Sequence, residues 1–421
     1  MDRDGKLVVV KHRRNHPQQA EATEPSLPQE IIVEILSRLP VKSLCRFRCV
    51  SKSWLSLISS PQFAKTHLSL ALKNKSFQSQ RLRLIFSSNN LYSAEYESIG
   101  NDDYDADGES SVVAFEIDYP LKDKSNGWCR LLGYGQDNLG WFKMSEDEDD
   151  NPVTVKVDAP SSVNPRNWVE FWGSCNGLVC IAPDEDTLFL FNPTTGESKK
   201  IPDEPLSGAA GLGAHGFGYD SVSDDYKVVR IDGRTNVSVY SLRTDSWRRM
   251  GVFPYGDYVY DSGTLLNGAV HWAVKSGEGE NAKYSISAFD LEKELFQELP
   301  APDVGDTDSE FVVGALGKCL CMIHSRNYMH DDFWVMRKYG MGESWTRISI
   351  SLSYICMAPL CLTKNGGALL VIDGRLVLYN LEKDTYKFLI VHGIPGGVGF
   401  EADTYIESLI SPSSLMQKFD P

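Results

Sequence analysis

Two rhythms of apolar residues divide the chain. Between residues 26 and 61 they recur at intervals of three and four, the spacing of one helix face. Beyond about residue 67, short apolar runs alternate with Gly, Pro, Asn and Asp, the texture of strands and turns. Ser26-Leu27-Pro28-Gln29-Glu30 predicts a helix start. Ser26 caps it, Pro28 suits a first turn because its missing N–H would find no partner there, and Glu30 meets the positive end of the dipole. Ile31, Ile35 and Leu39 then form one stripe, with Ile32 and Leu36 as a second beside it, and Pro40 stops the helix. Val41, Leu44, Phe47 and Val50 predict a second short helix. Ser51 caps a third, with Trp54, Leu57 and Ile58 inward, ended by Pro61. A unit this small rarely builds a self-sufficient core, so the second stripe on its first helix needs a cover. That cover is either the rest of the chain or an apolar groove on another protein.

From residue 170 onward a unit repeats: an apolar strand, a polar turn, and a return through an aromatic or aliphatic strand. The equivalent positions Asn192, Ser241, Asp290, Lys338 and Asn380 are separated by 49, 49, 48 and 42 residues. That period predicts a kelch-like β-propeller of about six or seven blades, whose closure removes exposed sheet edges. An elongated sandwich or open β array is the alternative.

Charge follows the same division. Of 421 residues, 42 are Lys or Arg and 57 are Asp or Glu, a net charge of −15. Residues 1–67 carry 11 basic against 6 acidic side chains, and residues 68–421 carry 31 against 51. The acidic balance argues against a nucleic-acid partner. No apolar run approaches the ~20 residues of a membrane helix. Nine scattered cysteines and the lack of a signal-peptide core predict a reducing compartment, cytoplasmic and/or nuclear. The organisation expected is a disordered leader (1–23), a helical head (24–67), a β domain (68–412) and a tail (413–421).

Constellations that carry chemistry mostly fail on context. Gly211 to Gly216 fits G-x-G-x-x-G, yet a Pro/Gly-rich segment precedes it and strand-like sequence follows, so no helix N-terminus receives a pyrophosphate. Cys175 occupies the place of an elbow nucleophile but leads into a strand, and Cys175 and Cys180 read as buried hydrophobes. Cys319 and Cys321 lack a second pair for tetrahedral zinc. His324, His330, Asp331 and Asp332 cluster loosely in an expected turn, and His271 reads as a satisfied core histidine. No cofactor, metal site or catalytic residue is therefore expected. The acidic runs 102–109 and 146–150 read as solvated loops, or as a patch steering a basic client.

Leu27-Pro28, Ile31, Ile35-Leu36, Leu39-Pro40, Leu44 and Val50-Ser51-Lys52-Ser53-Trp54 together resemble an F-box. Gly173 to Val179 with Asn192-Pro193-Thr194-Thr195-Gly196, Gly216 to Asp220, Leu266 to Trp272, Trp334 to Met336 with Glu343-Ser344-Trp345, and Tyr405 to Leu409 are similar to the F-box-associated domain of plant F-box proteins. The resemblance runs from about residue 25 to 412. It implies that the head binds a Skp-type adaptor and through it a cullin, in an SCF-type E3 ubiquitin ligase. By the same resemblance Leu27, Pro28, Ile31, Ile35, Leu39, Pro40, Val41 and Leu44 lie at that contact, with Phe47, Val50 and Trp54 in the F-box core. The β domain is then expected to hold a client protein for ubiquitination and degradation, through loops that the sequence does not identify. The receptor itself would be non-catalytic. A non-degradative propeller scaffold and a propeller enzyme are the competing readings.

Overall fold

The computed structural model describes residues 27–415 except 89, 100–110, 123–127, 132–139, 147–151, 158–168, 184–186, 205–212, 233–235, 256–257, 260–261, 278–281, 306–309, 365 and 396–398. Side chains are further left undescribed at 128–131, 140–146, 152–157, 258–259 and 326–328. The predicted leader, its cap Ser26 and the acidic runs 102–109 and 146–150 thus lie outside the described side chains.

Five helices lead: α1 (Gln29–Ser37), α2 (Val41–Phe47), α3 (Lys52–Ile58), α4 (Pro61–Lys73) and α5 (Lys75–Arg81). Three of these match the sequence pattern. Pro61, expected as a stop, instead opens α4, because the Ser60 hydroxyl accepts from the Phe63 amide at 3.2 Å and proline needs no partner at a first position. The expected boundary at 67 therefore falls inside a helix. Phe63, Ala64, His67, Leu68 and Ala71 make the buried face of α4.

The strands form a ring of propeller blades. Three blades are separate sheets with the strand order of a meander, spanning 170–200, 213–252 and 258–300. A seven-strand path supplies two more, because Trp345–Leu362 pairs through its first half with Cys319–Met336 and through its second with Ala368–Ile372. The sixth blade joins both ends of the domain. Glu401–Ile406 pairs with Leu82–Ser87, which pairs with Leu91–Glu95. Six apolar clusters, one between each neighbouring pair, complete the ring among the described residues. Strand alternation explains how one strand serves two clusters. Leu84 and Phe86 face the blade at 357–392 while Ile85, between them, faces the blade at 170–200. Six blades agree with the period read from the sequence. A separate three-stranded sheet, Trp128–Leu131, Gly140–Glu146 and Pro152–Val157, accounts for the longer stretch before residue 170.

Turn chemistry explains the repeat. Asn192 follows a strand, Asp290 and Asn380 end one, and each side-chain oxygen accepts two backbone N–H groups of the next turn at 2.9–3.3 Å. Four residues after these positions and after Ser241 come Gly196, Asp245, Glu294 and Asp384, all with φ between 50° and 74°. Lys338 has no acceptor, and there the Ser344 hydroxyl takes the Lys338 amide at 3.0 Å. Asn176-Gly177, Asn267-Gly268 and Asp373-Gly374 close two-residue hairpins with both φ positive, as type I′ turns require.

Candidate adaptor-docking face

Both Leu-Pro pairs begin helices in the same manner. The Pro28 carbonyl accepts from the Ile31 and Ile32 amides at 3.1 and 3.2 Å, and the Pro40 carbonyl accepts from Ser43 and Leu44 at 3.0 and 3.1 Å. A proline there lends a fixed φ without wasting a donor. Helix α1 then divides into two stripes, but Leu39, expected beside Ile31 and Ile35, packs with the inner one. Leu36 is buried, and Ile32, Val33 and Leu39 pack beside it. Leu27, Ile31 and Ile35, four apart, remain 58%, 42% and 48% exposed, with Pro28 exposed among them. An apolar row left uncovered at helical spacing is a surface shaped to enter a groove.

The structure does not gather all eight expected contact residues on this face. Leu27, Pro28, Ile31 and Ile35 lie in the open row, Pro40 is exposed and Leu39 half-buried. Val41 and Leu44 are 0% exposed. They start α2 on its inward side, so they hold the helices together instead of adding area to a contact. The expected core is likewise split. Phe47 and Trp54 are half-buried and meet edge-on with ring centroids 5.5 Å apart. Val50 follows the end of α2 in a turn and is 62% exposed.

What covers the inner stripe is the propeller. Leu36, Val41, Leu44, Ile58, Phe63 and Leu68 of the head share one core with Leu178, Leu190, Phe217, Tyr226 and Tyr240 of two blades. Polar contacts tie the helices to one another and to the blades. Arg81 donates to the carbonyls of His67, Ser37 and Leu39 at 3.0–3.3 Å, and His67 Nε2 meets the Leu39 carbonyl at 2.9 Å. Burial, reinforced by the Arg81 cation, pulls His67 down to about 4. It is therefore neutral at pH 7. Lys65 pairs with Asp224 and Arg48 with Glu197 across head and blades. No periodicity announces these polar residues, which is why sequence reasoning missed them.

The other sequence candidates resolve as follows. Of the glycine motif, Gly213 to Gly216 lie in the strand Gly213–Asp220, which leads into a turn and another strand and not a helix, while Gly211 and Leu212 lie outside the described residues. Cys175 ends a strand, and burial pushes its thiol up to about 12, far from a nucleophile. His271 is fully buried, with Nδ1 3.1 Å from the Thr264 carbonyl and Nε2 2.7 Å from the Tyr339 hydroxyl. Among the described residues, His324, His330 and Asp332 do come together, whereas Asp331 points away into solvent. No helix among the described residues is long and apolar enough to cross a membrane.

A helical head with one open apolar stripe, seated on a six-bladed ring, defines a protein-docking module joined to a propeller. Residues 25–66 match the F-box domain and residues 140–397 the F-box associated beta propeller domain, and the chain belongs to the plant F-box proteins that combine the two. An F-box/kelch-repeat protein of Arabidopsis thaliana is 30% identical over 93% of this chain and 97% of its own length. F-box protein CPR1 of the same plant is 26% identical over 91% and 89%. Solved structures overlap more loosely, apo AztD from Citrobacter koseri at TM-score 0.38 and 9% identity over 77% of this chain and 97% of that one. A likeness of that size carries no functional argument.

Proposed function

We propose that this protein is the substrate receptor of an SCF-type ubiquitin ligase. The F-box stripe takes a Skp-type adaptor, the adaptor brings the cullin, and the propeller holds a client. The observation that supports this most is the open row Leu27, Ile31 and Ile35, left uncovered while the opposite face of α1 is sealed against the blades. Such a receptor needs no reactive side chain. Holding a client lysine near a charged E2 turns a chance encounter into a tethered one, which raises its effective concentration.

The test is a pulldown of the full chain with purified Skp-type adaptor, comparing wild type with Leu27→Ala/Pro28→Ala. Capture by wild type and loss in the variant is the expected pattern. Failure of wild type to bind overturns the reading. Client half-life in cells with and without the protein then separates a degradative receptor from a scaffold, since a scaffold leaves it unchanged.

A further inference from the structure

The cluster at His324, His330 and Asp332 has the composition of a metal site. The three residues sit on Cys319–Met336, where the register against Trp345–Leu362 shifts between Ser325 and His330 and again between His330 and Asp332. The three positions share one parity, so alternation puts them on one face, and the bulge shortens the gap between His324 and His330, since the step from Ser325 to His330 is matched only by that from Cys356 to Tyr354 on the partner strand. One ligand atom from each residue lies within 4.8 Å of the other two. His324 Nε2 is 3.1 Å from Asp332 Oδ1, and the two imidazoles lie nearly parallel with centroids 3.7 Å apart. His324 and Asp332 are buried and His330 half-buried.

Three features favour a cation over a plain polar cluster. First, Arg347 Nε binds Asp332 Oδ2, which leaves Oδ1 turned to the imidazoles, while the Tyr354 hydroxyl donates to the Asp332 carbonyl. Outer hydrogen bonds that orient a carboxylate in this way are typical around metals. Second, His330 Nε2 is enclosed without a hydrogen-bond partner among the described residues. An enclosed imidazole nitrogen is costly to leave bare, and a metal ion would use it. Third, the spacing is near what a metal needs. Bonds of ~2.0–2.1 Å in a tetrahedron set ligand atoms about 3.3 Å apart, so the donors are close enough in distance, and binding requires one imidazole to turn out of the parallel stack so that both ring lone pairs reach one ion.

We propose that these residues bind one divalent transition-metal ion, Zn²⁺ foremost. Two nitrogens and one carboxylate oxygen suit Zn²⁺, Co²⁺ or Ni²⁺, whereas Ca²⁺ and Mg²⁺ ask for six or more oxygens. Three protein ligands leave a fourth position open to water or an outside ligand. The site lies on the blade at 310–349 and does not depend on what the F-box docks.

The full chain, stripped with chelator, is titrated with Zn²⁺ by calorimetry, and separately with Co²⁺ by visible absorption. The expected result is a tight site filled by one equivalent, weakened at least ~10-fold in His330→Ala, since loss of an orienting neighbour alone costs that much. His330 is half-buried, so the variant should keep its fold, which a thermal melt checks. Exposed thiols at Cys49 and Cys356 also take soft metals, and the Co²⁺ spectrum separates the two sources. Tetrahedral bands without sulfur-to-cobalt charge transfer support the site. Sulfur charge transfer, absence of binding, or an affinity unchanged in His330→Ala each overturns it. If His330→Ala does not fold, the wild-type Co²⁺ spectrum decides alone.

Discussion

Truncating the open stripe of α1 separates docking from folding. Ile31 and Ile35 are 42% and 48% exposed, so roughly half of each side chain can still leave water. Full burial of such a chain is worth ~1.5–3 kcal/mol, which leaves about 1 kcal/mol each for a partner to gain. Ile31→Ala/Ile35→Ala should therefore cost about 2 kcal/mol of adaptor binding, a ~30-fold rise in Kd. Folding should be affected much less, because alanine favours the helix more than isoleucine does and the truncated atoms already face solvent. Leu44→Ala is the opposite case. Its side chain is 0% exposed in the core shared by head and blades, so it should lose ~2–5 kcal/mol of stability. Calorimetric titration of purified adaptor into each full-length variant, beside a thermal melt, reads both quantities. An unchanged Kd in the double variant, with an intact melt, would refute the assignment of this face.

Gly177 has φ +86°, and a Cβ there would sit 2.2 Å from Ser408 Oγ and 2.6 Å from the Ile406 carbonyl oxygen. Gly177→Ala should prise the closing strand from its neighbour and lower the melting temperature sharply, whereas Gly196→Ala, with φ +74° and nothing within 4 Å, should lose only the ~1–2 kcal/mol of left-handed strain. His67 titrates in the folded chain at about 4 against an ordinary 6.5, so the unfolded chain protonates first as pH falls. The stability its neutral form contributes is complete above about pH 6.5 and drains away towards pH 4; His67→Gln should flatten that part of the melting-temperature profile, and an equally steep profile in the variant counts against the argument. Lys227 is buried between Asp220 and Glu294, 2.9 Å from each; Lys227→Met leaves buried Asp220 without that cation while Glu294 keeps Arg248, so a chemical denaturation curve should show a loss of ~3 kcal/mol.

The parts legible in the sequence are those with a local cause. Three head helices were readable because proline, serine caps and apolar spacing act within a few residues. The blade period is readable because three of the five repeated turns share one local device, an Asn or Asp oxygen taking two amides. The open row on α1 was readable as a stripe, but which stripe stays open was not. That choice depends on what the other face meets, and Leu190, Phe217 and Tyr240 lie far along the chain from Leu36. Val41 and Leu44, which the resemblance puts at the contact, are 0% exposed in the chain, and an apolar pattern does not say which neighbour buries a residue. His324, His330 and Asp332 were dismissed because their spacing fits no ligand motif. Strand bulges, invisible to a spacing rule, bring them within reach of one another.

The shared core of head and blades has a functional consequence beyond stability. A head on a flexible tether would present the ring at many distances and angles, and the effective concentration of a bound client lysine would be diluted over all of them. Here α1 is sealed against two blades, Arg81 joins α5 to the carbonyls of Ser37 and Leu39, and Lys65 and Arg48 reach across to Asp224 and Glu197. The open stripe and the propeller are thus joined through one continuous apolar core. For the receptor proposed above, that junction would set where a client stands relative to the adaptor, and a change at the seam should alter transfer to the client even where adaptor and client both still bind.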